Sequence, residues 1–282
     1  MTGEETILPD TTLEEDQCHD FEDFLKNQPP STTWEIDGLK YNNLPGIVQA
    51  ARDNNLIAVS DGSHKGNIGT AAVRIEDKTN SNKYISISFQ VPSRSETMQS
   101  TRAELGGVLG MVILLSCFKE FFVIEEIMIA TKCDNTTATK VTELQQLPPP
   151  NTSDWDITSS IIRATKEWKI SINCTWIKGH SSIPFNEMTR WQQLNFLTNK
   201  AAKSKCQHIF QEAISQTTSL TTFPFEIRIT INGQPQSRVH NKITYRKITK
   251  SSTRETWTKI RNLNESQIEL TNWKALSESM KK

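Results

Sequence analysis

Apolar residues are in short supply. They make up 35% of the 282 residues, enough to build a core for about half to two-thirds of the chain. That leaves room for one large domain, or one domain and an appendage. Cysteine is also sparse. The five, Cys18, Cys117, Cys133, Cys174 and Cys206, are odd in number and no pair has metal-ligand spacing, so free buried thiols in a reducing compartment are expected. The longest apolar run, Val108 to Phe118, is too short to span a bilayer. The acidic, polar N-terminus is neither a signal nor a transit peptide. An intracellular protein, of cytoplasm or nucleus, is the expectation, and sequons such as that at Asn135 are then incidental. No internal repeat is present.

Net charge is also absent, being zero over the whole chain, but its distribution is uneven. Residues 1–40 hold 11 acids against Lys26 and Lys40, so the rest of the chain is net basic. An acidic head on a basic body is compatible with nucleic-acid binding, and equally with a solvated tail.

Four segments are expected. Residues 1–33, acidic with Pro29-Pro30, read as disordered. Residues 34–54 read as a lead-in with a short helix over 43–53. Residues 55–215 carry the strand and helix patterns of one domain. Its first three strands (56–59, 70–75, 84–91) form an antiparallel meander, followed by a long helix capped by Ser100 or Thr101. A strand over 125–131, a helix to Leu144 ended by Pro148-Pro149-Pro150, a helix over 154–169, a strand over 171–177 and a last helix over 190–215 complete it. The order is βββ-α-β-α-α-β-α, a mixed α/β layer architecture. Residues 216–282 form a basic appendage. It has a strand ending at Asn232-Gly233, then 11 Lys/Arg against 4 Glu over 233–282.

Three acids sit within or at the end of apolar runs: Asp61 in IAVSDGS, Glu104 in STRAELGGVLGMVILLS and Asp134 in IMIATKCDN. Buried carboxylates cost free energy unless paired or bound to a cation, so three in such places suggest a metal site. Taken singly, each has an ordinary explanation. Asp61-Gly62-Ser63 is a turn sequence, Glu104 complements a helix dipole, and Asp134-Asn135 is an N-cap pair. His180, in TWIKGH, is on its own a surface residue.

In this order the pieces resemble ribonuclease H type 1. The matching pieces are Ser60-Asp61-Gly62-Ser63, Arg102-Ala103-Glu104-Leu105, Cys133-Asp134-Asn135, Trp176-Ile177-Lys178-Gly179-His180 and the helix segment 194–203. The phrasing is most similar to the ribonuclease H domains of eukaryotic retroelement reverse transcriptases, and it covers residues 55 to about 205. The resemblance implies a five-stranded mixed sheet flanked by helices. It also implies hydrolysis of the RNA strand of RNA–DNA hybrids, leaving a 3′-hydroxyl. The implied cofactor is two Mg²⁺ ions, with Mn²⁺ as a substitute, about 3.5–4 Å apart. Asp61, Glu104, Asp134 and Asn199 would hold them, and His180 would shuttle a proton. Asn199 is the departure, because the family places Asp there. A neutral amide is a weaker ligand, so weaker binding of one ion is expected.

Gly62, Ser63, Ser100, Thr101 and Asn135 are placed to contact a hybrid across its minor groove. Ser100 and Thr101 stand where the family often has amides. Lys65, Lys178, Arg190 and Lys200 are candidates for phosphate contacts. Trp155, Trp168, Trp176 and Trp191 read as core or interface packing rather than as base-stacking platforms. The chain has no Tyr-X-Asp-Asp polymerase signature, so by itself it is not expected to be a reverse transcriptase. Two alternatives stand beside the nuclease reading. One is an impaired module that binds hybrid or other retroelement proteins, the basic C-terminal extension being one route to such partners. The other is a transposase or integrase, whose third acid lies after the second strand acid rather than in the first helix.

Overall fold

The computed structural model describes residues 16–28, 38–91, 98–144, 146–149, 152–179, 182–212, 230–231 and 234–235. The chain divides into two compact units: Met1–Leu147 with Ile157–Phe225, and Pro148–Asp156 with Glu226–Lys282.

The first unit is built on one six-stranded sheet. Its strands are β1 (Lys40–Asn42), β2 (Leu56–Lys65), β3 (Ile68–Asp77), β4 (Asn80–Gln90), β5 (Ile127–Cys133) and β6 (Ile170–Trp176), in the order β1-β4-β3-β2-β5-β6. β1, β4, β3 and β2 pair antiparallel, and β2, β5 and β6 pair parallel. This is the ribonuclease-H-like order with one strand added. The expected five-stranded sheet is thus corrected to six. β1 was missed because Lys40-Tyr41-Asn42 has no apolar alternation; it is a short edge strand held by its pairing with residues 84–86 of β4.

The helices are α1 (Asp16–Lys26), α2 (Leu44–Arg52), α3 (Ser100–Phe121), α4 (Thr136–Glu143), α5 (Trp155–Glu167) and α6 (Arg190–Glu212). Side chains of β2 alternate between two faces. Leu56 and Ala58 join the large core that includes α3, while Ile57 and Val59 pack with Leu194 and Trp191 of α6. α3 is apolar all round, as a helix enclosed on every side must be. Its 22 residues are long and apolar enough to cross a membrane, yet 94% of its most apolar window is buried inside the protein. At Gly110 a Cβ would lie 2.2 Å from the Phe89 ring, so the missing side chain is what lets α3 lie close on the sheet.

Two further expectations change. The acidic head holds a helix at Asp16–Lys26, within the segment read as disordered. Phe21, Phe24 and Leu25 share one helical face, and Phe21 packs at 5.3–5.8 Å on Phe118, Phe121 and Phe122. Three apolar residues at that spacing outweigh the acidic composition around them. The N-cap of α3 is Gln99, extended at φ −152°, rather than Ser100 or Thr101.

Under the N-terminus of α6, Glu76 is fully buried. Its carboxylate pairs with Arg74 at 2.6 Å and with Arg190. Arg190, expected among the phosphate contacts, is thus an ion-pair partner of Glu76 that remains about a third exposed. Removing the anion strands two guanidinium groups. Glu76→Gln is expected to lower stability by about 3 kcal/mol, read as a lower denaturant midpoint at constant slope. An unchanged midpoint would show that the cluster contributes nothing.

In the second unit, β7 (Thr230–Ile231) and β8 (Gln234–Pro235) form a two-stranded antiparallel pair, and the Asn232-Gly233 strand end expected from sequence lies outside the described residues. Trp155 donates its indole N–H to the Pro148 carbonyl at 3.0 Å. The rest of the expected basic appendage lies outside the described residues.

Candidate metal centre

β2 and β5 run parallel and in register from Leu56 with Ile129 to Val59 with Lys132. Two residues further stand Asp61, still within β2 and opposite Ala72 of β3, and Asp134, just past the end of β5, where open α/β sheets form crevices. β2 runs on to Lys65 rather than stopping at Val59 as expected. Asp61 shares its face with Ile57 and Val59, towards α6. Gly62 turns to the opposite face, where an added Cβ would lie 2.4 Å from the backbone nitrogen of Glu104. Only a glycine lets α3 come this near. The Gly62 N–H donates to Glu104 Oε2 at 2.9 Å and fixes that carboxylate beside Asp61.

The third acid is held from both sides. Trp176, at the end of β6, donates its indole N–H to the Asp134 carbonyl at 3.0 Å. Gly179 lies so close that a Cβ there would meet Asp134 Oδ2 at 2.3 Å. Trp176 is 54% exposed, so it lies outside the core, and its indole bond makes it a positioning residue for Asp134. Glu104, Cys133 and Asp134 each bring a ligand atom within 4.8 Å of the others. Cys133 is buried and burial pushes its thiol pKa up. Its sulfur accepts the Asn135 N–H, which suits a packed thiol better than a thiolate ligand.

Asp61 and Glu104 are both buried. Burial first, then the nearby Asp134 charge, pushes the Asp61 carboxyl up to about 7, while Lys203 and a hydrogen bond from Asn199 pull it back. Burial first, then the charges of Asp61 and Asp134, pushes Glu104 up to about 9, with the Gly62 N–H opposing. Asp61 Oδ2 is buried and has no hydrogen-bond partner among the described residues. A buried carboxylate oxygen without a donor, among acids that repel one another, is what a hard cation satisfies. The donor set is mainly oxygen and fits Mg²⁺ or Mn²⁺ better than a thiolate-seeking metal.

Both carboxyls titrate higher in the fold than in an unfolded chain, where they sit near 4. The folded state then binds more protons over about pH 4 to 9, so metal-free stability is greatest at low pH and is lost as pH rises through 7 and 9. The metal-free melting temperature is expected to fall by roughly 10 °C from pH 5 to pH 9. Added divalent cation should restore most of that at the upper end. A melting temperature independent of both pH and cation would contradict this picture of the acids.

Of the residues singled out from sequence, Asp61, Glu104, Asp134 and Asn199 come together. Gly62 is used inside the site. Ser63 lies beside it on β2, opposite Thr70, and Ser100 and Thr101 open α3, the first exposed and the second half-buried. Asn135 is the N-cap of α4, its side-chain oxygen accepting from Thr137 and Ala138, so only its amide N–H groups remain for a ligand. Lys65 lies 4.2 Å from the Phe210 ring centroid. His180 lies outside the described residues. Sequence reading missed the roles of Gly179, Trp176 and Lys203. Only Lys203 had a signal, standing one helical turn after Asn199 on the same face.

The order of the six strands, with α3 and α6 packed on the sheet, is a ribonuclease-H-like fold. The chain is similar to several solved structures. The N-terminal ribonuclease H domain of a Mycobacterium tuberculosis protein, solved fused to maltose-binding protein, is 12% identical over 56% of this chain and 97% of that one, with TM-score 0.40. LC11 ribonuclease H1, isolated from compost and solved with an RNA/DNA hybrid, is 14% identical over 53% and 98%, with TM-score 0.38. The prototype foamy virus protease–reverse transcriptase is 14% identical over 53% of this chain, which spans 20% of that protein, with TM-score 0.34. No family model and no curated protein matches.

Proposed function

We propose that this protein is a metal-dependent endonuclease that hydrolyses the RNA strand of RNA–DNA hybrids. The observation that carries the reading is the convergence of Asp61 of β2, Glu104 of α3 and Asp134 just after β5, with a buried, undonated oxygen on Asp61. Asp61, Glu104 and Asp134 would hold magnesium, and Asn199 would add its amide oxygen. Magnesium bound there supplies Lewis acidity that eases deprotonation of water and offsets charge on a phosphate.

The chain's own residues do the rest. The Gly62 N–H holds Glu104 in place, and Trp176 and Gly179 set the position of Asp134. The Asn199 amide steadies the Asp61 carboxylate. Ser63, Ser100, Thr101 and the Asn135 amide would read 2′-hydroxyls, which is how such a site tells RNA from DNA. His180, as the resemblance implies, would carry a proton to the departing oxygen. The test is cutting of a strand-labelled hybrid, with RNA-strand products only and dependence on Mg²⁺ or Mn²⁺.

One observation favours a second reading. Asn199 lies at Asp61 where the resemblance implies a fourth acid, and a three-acid site suits a hybrid-binding module with weakened cleavage. Hybrid binding without cutting in either metal would select it.

A further inference from the structure

Beside the acids, α6 walls a groove of about 460 Å³. Lys178, Asn195, Phe196, Asn199, Lys200 and Lys203 line it, and no acid does. Asn199 belongs to both places, lining the groove and hydrogen-bonding Asp61. Phe196, Asn199, Lys200 and Lys203 recur at helical spacing, so they form one stripe along α6. At its start the Phe196 ring lies 5.5 Å from that of Phe185, in the turn before α6, with an interplanar angle of 57°. Both rings are exposed, at 45% and 42%. Among the described residues this exposed aromatic pair lies along the same stripe as the groove lysines.

We propose that this groove binds single-stranded nucleic acid, as an unpaired extension of the strand that lies over the carboxylates. The lysines meet phosphates, and the phenylalanine faces take bases. Stacking on an exposed ring needs a base free of its neighbours, which a single strand supplies and a duplex does not. Charge complementarity alone would also admit an acidic peptide. The aromatic pair, with Asn195 and Asn199 offering amide donors and acceptors, favours bases.

The inference rests on the proposed function only in naming the neighbouring strand. It is tested without cleavage, in EDTA, with the full chain. Anisotropy compares a blunt RNA–DNA hybrid, the same hybrid with a single-stranded RNA extension of about ten nucleotides, the free extension, and a labelled polyglutamate peptide. The extension is expected to tighten binding about tenfold. Phe185→Ala and Phe196→Ala should each remove most of that gain and leave blunt-hybrid binding within about twofold, stacking being worth about 1–3 kcal/mol per base. Lys200→Gln with Lys203→Gln should lower the salt slope for the extension by about 1.4. Because both phenylalanines are exposed, their variants should keep the wild-type melting temperature. Equal affinity for blunt and extended hybrids, a gain that survives both phenylalanine variants, or polyglutamate binding as tightly as the extension would overturn the proposal. Cleavage that persists while the extension adds nothing would leave the proposed function standing and remove this one.

Discussion

Asn199→Asp is expected to raise RNA-strand cleavage about ten- to a hundredfold at limiting Mg²⁺, and to make the metal-free protein less stable above neutral pH. Both effects have one cause. In the wild type a neutral amide hydrogen-bonds Asp61 and lowers its pKa, against the push from burial and Asp134. The substitution removes that donor and adds a fourth negative charge at a buried carboxylate. Without cation the repulsion rises, so Asp61 and Glu104 hold their protons to still higher pH and stability falls further as pH climbs. With cation the same charges become ligands. Lys203, one turn further along α6, also pulls the Asp61 pKa down and is expected to blunt both effects, so Lys203→Gln should amplify the change. Mn²⁺ titration calorimetry and melting at pH 8 read the two halves independently. Unchanged metal affinity alongside unchanged stability would mean that residue 199 lies outside the metal site.

Gly179→Ala should cut metal affinity and cleavage about a hundredfold and leave the fold nearly untouched. An added methyl would meet the Asp134 carboxylate at 2.3 Å. The obstacle is the far end of a side chain and not backbone, so the carboxylate can turn away at little structural cost, but it then no longer faces Glu104. Gly62→Ala makes the instructive contrast. There the methyl would meet the backbone of Ala103 and Glu104, so β2 and α3 must separate and stability itself should drop. A Gly179→Ala protein with wild-type melting and wild-type metal affinity would show that this loop does not position Asp134.

The three acids were legible because each interrupts or ends an apolar run, a pattern visible without coordinates. Their order relative to the strands and the first helix also carried the fold. What could not be read depends on distance across the fold. The approach of Gly179 to Asp134, the Trp176 indole bond and the packing of Cys133 beside Glu104 join residues that are remote in sequence or carry no periodic signal. Arg190 looked like a free cation on a helix start, and only the sheet beneath it reveals Glu76 as its partner. α1 was hidden by acidic composition, although Phe21, Phe24 and Leu25 carried helical spacing. The N-cap at Gln99 offers no capping side chain, since packing of an enclosed helix sets its start more strongly than local chemistry does.

The most direct test of the carboxylate site is cleavage of an RNA–DNA hybrid with each strand labelled, across a Mg²⁺ and Mn²⁺ series, by wild type and by Asp134→Asn. The account predicts products from the RNA strand alone, rising with either metal, and their loss by about a thousandfold in the variant. Absence of cutting by wild type in both metals, with hybrid binding intact, would contradict it and leave a ribonuclease-H-like fold that binds but does not cut.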